Sequence, residues 1–201
     1  MEIINNYNNN INFSSCNLII IDNFYKHPYE VRNFALLQDF FGKDYFPGKR
    51  TKSFASIDIK NKFQNFLNPF GGKITDFSLY NSDNGSFQIT TSNDKSWIHN
   101  DSSSSNWAGI VYLTPNAPIN SGTIFYKHKT GVSNSIETQI TDTHIESGVD
   151  YSNWEIVDKV GNVFNRLILY NSTRYHQSGD YFGTNLYDGR LFQVFFFKTE
   201  F

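Results

Sequence analysis

Residues 165–176 read NRLILYNSTRYH. Leu167 to Tyr170 form a short apolar run, closed by the polar residues Asn171, Ser172 and Thr173, and the chain then delivers a histidine. A run of this length, bounded by turn-forming residues, is the mark of a buried strand. A histidine beyond such an element is presented at the mouth of the body that the strand helps to build, with its position set by rigid structure.

The same texture recurs on both sides. GSFQITT, SWIHN, NWAGIVYLT, GTIFYKH and GRLFQVFFFKT are short runs rich in β-branched and aromatic residues, separated by Gly, Asn, Ser and Pro. Upstream the pattern changes. An Asn-rich opening, expected to be a flexible tail over residues 1–16, gives way to an apolar strand in NLIIIDNF. HPYEVRNFALLQDFF predicts a helix with Pro28 at its first position and Val31, Phe34, Ala35 and Leu37 on one face. FPGKRT reads as a solvated turn through Pro47 and Gly48, carrying Lys49 and Arg50. A second helix is expected in IDIKNKFQNFLNPF, with Ile59, Phe63, Phe66 and Leu67 near helical spacing.

Helices followed by closely spaced strands predict one domain over 1–201, α+β but mainly β, with a helical buttress at 18–70 and a strand core at 86–199. The core is expected to be an antiparallel sandwich or jelly-roll barrel. The segment from Thr130 to Asn162 is long, polar and weakly patterned, apart from NWEIVDKVGNVF. Segments of that kind more often serve function than merely connect, and this one is expected to set the choice of substrate.

Composition supports a folded core, with 39% hydrophobic and 17% aromatic residues in 201. Lys plus Arg number 17 against 19 Asp plus Glu, a net charge of −2, so no basic field points to nucleic acid as an obligate partner. Cys16 is the single cysteine, which excludes an internal disulfide and a thiolate metal cluster. No run is long enough to cross a membrane. A cytoplasmic protein is expected, and heavy use of Asn, Ile, Lys, Phe and Tyr suits an A/T-rich bacterial or phage genome, hence host cytoplasm if phage-encoded. GxSxG, HExxH, P-loop and GxGxxG patterns are absent from the sequence.

SWIHND, residues 96–101, places His99 and Asp101 at i and i+2, on one face of an extended strand. An imidazole and a carboxylate are two thirds of a facial triad, and a second histidine would complete a site for Fe(II) that leaves adjacent positions open. His27, His128, His144 and His176 are the candidates; His176 is best placed because an apolar strand leads to it. Arg190, heading the strand of GRLFQVFFF, has the forked guanidinium needed to hold a carboxylate deep in a barrel. Arg166 and Arg174 flank the preceding strand and compete for that role, with a structural or substrate-facing place favoured for both and Asp158 a candidate partner for Arg166. Trp107, beside a strand, reads either as core or as a pocket wall.

In this order HND, WAGIVYLT, SGTIFY, NRLILYNSTRYH and GRLFQVFFF resemble the 2-oxoglutarate- and Fe(II)-dependent oxygenases, in particular their prolyl-hydroxylase-like branch. The N-terminal stretch IIIDNFYKHPYEVRNFAL is similar to uncharacterised phage and bacterial members. The resemblance implies a double-stranded β-helix with Fe(II) on His99, Asp101 and His176, and no catalytic side chain beyond those ligands. It also implies that 2-oxoglutarate is held by Arg190, where many relatives of that branch carry lysine, and by Tyr112. Dioxygen and an unidentified substrate (small molecule, peptide side chain or nucleobase) would be the partners, with succinate and CO2 released as the substrate is hydroxylated. The rival readings are a non-catalytic jelly-roll binding module and a cupin-like metalloenzyme that uses the same ligands without 2-oxoglutarate.

Overall fold

The computed structural model describes residues 16–42, 45–80, 83–101, 105–131 and 148–201, so the expected tail up to residue 15 and His144 lie outside the described residues. In chain order come β1 (Leu18–Ile21), α1 (Pro28–Leu36), β2 (Phe41–Gly42), β3 (Lys49–Ser53), α2 (Ile57–Leu67) and β4 (Lys73–Asp76). β5 (Ser86–Thr90), β6 (Trp107–Tyr112), β7 (Thr123–His128) and β8 (Trp154–Val160) follow, then β9 (Leu167–Asn171), β10 (His176–Ser178) and β11 (Arg190–Glu200). The described chain is mostly β, with two α-helices and two antiparallel sheets. The larger sheet has the order β1-β9-β6-β11-β5-β3-β2, with β4 also paired to β11, and the smaller has the order β10-β7-β8.

The middle of the larger sheet is apolar on both faces. Along β6, β9 and β11, Trp107, Val111, Leu169, Leu191, Phe195 and Phe197 turn towards α2 and pack with Phe63 and Leu67. Their even-numbered neighbours Ala108, Ile110, Tyr112, Tyr170, Phe192 and Val194 turn the other way, towards Phe125 and Val160 of the smaller sheet. A strand covered on both faces has no polar alternation, which is why LILY and LFQVFFF read as near-continuous apolar runs. β5 differs. Phe87 and Ile89 join the helix-side core, whereas Ser86, Gln88 and Thr90 share the opposite face, the one that looks into the space between the sheets.

α1 starts at Pro28 as expected, and Ala35 and Val31 of the expected face pack on the core, but Phe34 and Leu37 do not. The helix ends at Leu36, so Leu37 is its C-cap and is 84% exposed; Phe34 is half-exposed and packs edge-on to Phe54. Arg32 takes the buried place instead, donating to the carbonyls of Leu113 at 2.8 Å and Tyr187 at 2.6 Å. α2 is capped by Ser56, whose side chain accepts from the Ile59 N–H at 3.3 Å, and buries Phe63 and Leu67 as its spacing requires.

FPGKRT does turn at Pro47 and Gly48, and then becomes strand rather than solvated loop. Gly48 has φ of +73°, and a Cβ there would lie 2.0 Å from the Ile89 carbonyl oxygen, so only glycine lets the chain run this close to β5. β3 follows at once, with Arg50 opposite Gln88. Directly opposed residues share a face, so Arg50 is carried to the space between the sheets. Residues 18–70 thus supply three strands of the larger sheet as well as both helices. Within the polar segment 130–162, the described part contains β8, paired with β7; residues 132–147 lie outside the described residues. Among the described residues no helix is long and apolar enough to cross a membrane.

The Phe63 ring meets Phe24, Phe77, Phe195 and Phe197 between α2 and the sheet. Phe63→Ala is expected to destabilise the protein by about 3–5 kcal/mol, measured by urea denaturation. A loss under about 1 kcal/mol would mean that this face of the sheet does not depend on α2.

Candidate metal centre

His176 does not end the LILY strand; it opens the next strand, in the other sheet. Between them the Asn171 side chain accepts from the Thr173 N–H at 3.0 Å and the Thr173 hydroxyl at 2.7 Å, an Asx turn that sends the chain across. β9 therefore stays in the larger sheet while His176 pairs with Phe125 of β7. His99 lies in no named strand. It forms an isolated antiparallel bridge with His176, closed by two main-chain bonds: His99 N–H to His176 carbonyl at 2.9 Å and His176 N–H to His99 carbonyl at 2.8 Å. Asp101 is fixed next to it by its N–H on the Ser172 carbonyl at 2.8 Å.

These anchors bring three potential ligand atoms of His99, Asp101 and His176 within 4.8 Å of one another. His99 Nε2 is 3.7 Å from Asp101 Oδ1, and His176 Nε2 is 3.3 Å from Asp101 Oδ2. Both rings are oriented by the same device. Nδ1 of His99 lies 2.9 Å from the Trp97 carbonyl, and Nδ1 of His176 lies 3.0 Å from the Arg174 carbonyl. A carbonyl can only accept, so each Nδ1 carries a proton, which leaves each Nε2, the nitrogen on the Asp101 side, as the atom available to a metal.

Burial first, and then His176, push the His99 pKa down and favour its neutral form. Burial alone would raise Asp101, but His176, His99 and Arg50 outweigh it and hold the carboxyl well below the usual carboxylate range. The Tyr170 hydroxyl is the fourth polar group in the cluster, 3.1 Å from His176 Nε2 and 3.5 Å from Asp101 Oδ2. Burial, then the neighbouring Asp101, raise its pKa well above that of an ordinary tyrosine.

The cluster faces a cavity of about 600 Å³ bounded by both sheets. Ile110, Thr123, Phe192 and Val194 form its inner wall, and Tyr45, Trp97 and Tyr181 are among the aromatic residues lining it. Arg190 and Tyr112 stand one layer behind that lining. The Tyr112 hydroxyl bonds Thr123 Oγ1 at 2.7 Å, and the Arg190 guanidinium lies 4.2 Å from the Phe192 ring centroid. Arg190 is 0% exposed and donates to the Ser121 carbonyl at 2.6 Å and the Gly122 carbonyl at 3.2 Å. Its Nη1 has no hydrogen-bond partner, nor has the buried Thr90 hydroxyl on the strand position directly opposite.

The other expected residues lie elsewhere. Arg166 pairs with Asp22 at 2.6 Å and not with Asp158; Asp158 is the partner of Arg174, whose guanidinium also covers the Phe125 ring at 4.2 Å. Trp107 is in the helix-side core, stacked on Phe197 and Phe201, away from the cavity, because its odd place in β6 turns it to α2. Of the rival histidines, His27 caps α1 and His128 packs on Trp154 at the far end of β7. Sequence reasoning missed Tyr170, Gln88 and the role of Arg50, all of which line the cavity. Arg50 donates to Gln88 at 2.8 Å and pairs with Asp83 at 3.3 Å. The polar alternation in SFQIT signalled Gln88. Tyr170 carried no signal, because an aromatic residue ending LILY looks like core.

No curated protein matches the chain in sequence. Several solved structures share its fold. HygX from Streptomyces hygroscopicus, with nickel and 2-oxoglutarate bound, is 12% identical at a TM-score of 0.55, covering 90% of this chain and 83% of HygX. A prolyl hydroxylase from Trichoplax adhaerens, in complex with a hypoxia-inducible-factor peptide, is 11% identical at a TM-score of 0.53, over 92% of this chain and 84% of that one. The non-haem α-ketoglutarate-dependent carbocyclase SnoK of nogalamycin biosynthesis is 9% identical at a TM-score of 0.58, over 93% and 81%. The fold is therefore that of 2-oxoglutarate-dependent oxygenases, and by its match over residues 8–192 the chain belongs to DUF6445, a family of unknown function.

Proposed function

We propose that this protein is a non-haem Fe(II)- and 2-oxoglutarate-dependent dioxygenase, a hydroxylase, built on a single double-stranded β-helix domain. One observation carries the reading: His99, Asp101 and His176 converge at the cavity with both histidines held in the metal-binding tautomer. Two imidazole nitrogens and one carboxylate suit Fe(II) and leave positions for further ligands. The orphaned Nη1 of Arg190 supports the second half of the reading. A buried guanidinium without an acidic partner is costly, and a carboxylate delivered through the wall between Thr123 and Phe192 would complete it.

When bound, iron and 2-oxoglutarate supply the oxidising power, 2-oxoglutarate and dioxygen giving succinate, CO2 and a hydroxylated substrate. The chain's own residues do the rest. The Trp97 and Arg174 carbonyls lock the two rings. Arg190 is the proposed anchor for the distal carboxylate, with Tyr112 and Thr123 beside it. Ile110, Phe192 and Val194 keep the inner wall apolar, which excludes water from the reacting centre. Arg50 and Gln88 face the remaining volume, where the substrate would lie, and the segment 130–162 is the proposed determinant of its identity. The neighbours act on different things: HygX has been seen with hygromycin B and the Trichoplax enzyme with a peptide. A small molecule, a peptide side chain and a nucleobase are all open to this chain.

One observation favours a second reading, a cupin-like metalloenzyme without 2-oxoglutarate: Arg190 stands behind Phe192 and already holds two carbonyls. Thermal shift separates the two. Under the oxygenase reading, 2-oxoglutarate at a hundred times its Kd stabilises the Fe(II)-loaded protein by about 2.7 kcal/mol, and Arg190→Met keeps the metal but loses this shift. A variant that still responds to 2-oxoglutarate would remove Arg190 from the site.

Incubating the iron-loaded protein with 2-oxoglutarate in air is expected to yield succinate even without the true substrate, through uncoupled turnover. Absence of both succinate and 2-oxoglutarate binding in protein with confirmed iron would sink the oxygenase reading. Asp101→Ala is expected to lower metal affinity by more than the roughly 10–100-fold typical of losing an outer hydrogen-bond partner. The variant should also lose some fold stability at neutral pH, because the neighbours that hold the Asp101 carboxyl well below its usual range stabilise the ionised form, and that difference should fade as the pH falls through the folded-state pKa. Equal metal loading by the variant, measured by metal analysis, would exclude Asp101 as a ligand.

A further inference from the structure

The Tyr170 hydroxyl is unusually placed. It is on the inner face of β9, its ring is edge-on to Phe125 at 5.2 Å, and it reaches two of the three proposed ligands at once. A phenol has one proton to give. His176 Nδ1 donates to the Arg174 carbonyl, so His176 Nε2 is an acceptor and receives the Tyr170 proton at 3.1 Å. Metal on Nε2 takes that lone pair away. The other acceptor is Asp101 Oδ2, at 3.5 Å, a long hydrogen bond towards which the hydroxyl proton can rotate.

We propose, on the basis of the metal-site reading above, that Tyr170 is a positioning residue whose hydroxyl donates to Asp101 and fixes that carboxylate when His176 Nε2 holds a metal ion. With a metal held by His99, Asp101 and His176, the hydroxyl would donate to Asp101 Oδ2, the carboxylate oxygen within its reach, a charge-assisted bond that would fix the orientation of the carboxylate. Phenylalanine would fill the same volume against Phe125 and provide no such donor.

Cobalt(II) serves as the probe, since its d–d absorption reports coordination number without turnover. Wild type and Tyr170→Phe are titrated with Co²⁺, and 2-oxoglutarate is then added to each. The expected result is one Co²⁺ per chain in both, with changed d–d bands in the variant and about a tenfold loss of affinity. That is the low end of the usual range for an outer partner, because at 3.5 Å the bond to Asp101 is a long one. Identical spectra and affinities would overturn the role of Tyr170 while leaving the metal site intact. Failure of wild type to bind Co²⁺ would remove the metal-site reading and this proposal with it. A tyrosinate-to-iron charge-transfer band in the ferric wild type, absent from Tyr170→Phe, would also overturn it, because the phenol would then be a ligand and not a donor.

Discussion

The reciprocal main-chain bonds between His99 and His176 tie the structure together. His99 belongs to the connection after β5, in the larger sheet, and His176 opens β10, in the smaller one. An antiparallel bridge of this kind places both side chains on one face, and the Asp101 N–H on Ser172 adds the third group from the same stretch. Side-chain positions at the site are thus set by backbone pairing rather than by side-chain packing. Packing tolerates small shifts. A register slip would turn the rings away altogether.

The bridge can exist only because the larger sheet is covered on both sides. α2 and its phenylalanine cluster occupy one face, leaving the other free to line a cavity instead of closing on itself. The inner face is graded along β11. Val194 and Phe192 are apolar, and Arg190 at the strand's start is charged, buried and pressed against the Phe192 ring. β5 and β3 add the polar side, with Gln88 and Arg50 opposite each other. One end of the space is backed by a buried charge behind an apolar wall, and the other is lined by polar groups.

Much of this was legible in the sequence, and the limits have physical causes. Every apolar run singled out after residue 86 is a strand except SWIHN, whose backbone is held by the His99–His176 bridge and the Ile98 N–H on the Gly148 carbonyl, contacts that no local pattern encodes. The helices were legible from spacing and from Pro28, but the exposed Leu37 was not, because helix length depends on where the chain must leave the sheet. β3 was hidden in KRTKS, a run too polar to read as a strand; its place comes from the close approach that Gly48 allows. His99, Asp101 and His176 could be singled out as a set from spacing and strand context. Tyr170 and Arg50 could not, since each acquires meaning only from what a second strand places beside it. The pairing of Arg166 with Asp22 and of Arg174 with Asp158 is the same lesson for charges: a guanidinium's partner is decided by chain crossings.

Arg190 is the point on which the electrostatics turn. Full burial of a guanidinium costs several kcal/mol unless hydrogen bonds and an opposite charge offset it. Two carbonyls supply part of the compensation, and among the described residues no carboxylate supplies the charge. Arg166, Arg174 and Arg50 all have acidic partners and all keep some access to solvent. Arg32, also buried, is held by two carbonyls, but Arg190 in addition keeps an unpartnered Nη1, and the Thr90 hydroxyl on the directly opposed position is unsatisfied as well. An incoming carboxylate would satisfy both groups at once. Arg190 otherwise has the Ser121 and Gly122 carbonyls and the Phe192 ring as its partners, and one donor left over, which is the physical basis for the anchoring role proposed for it above.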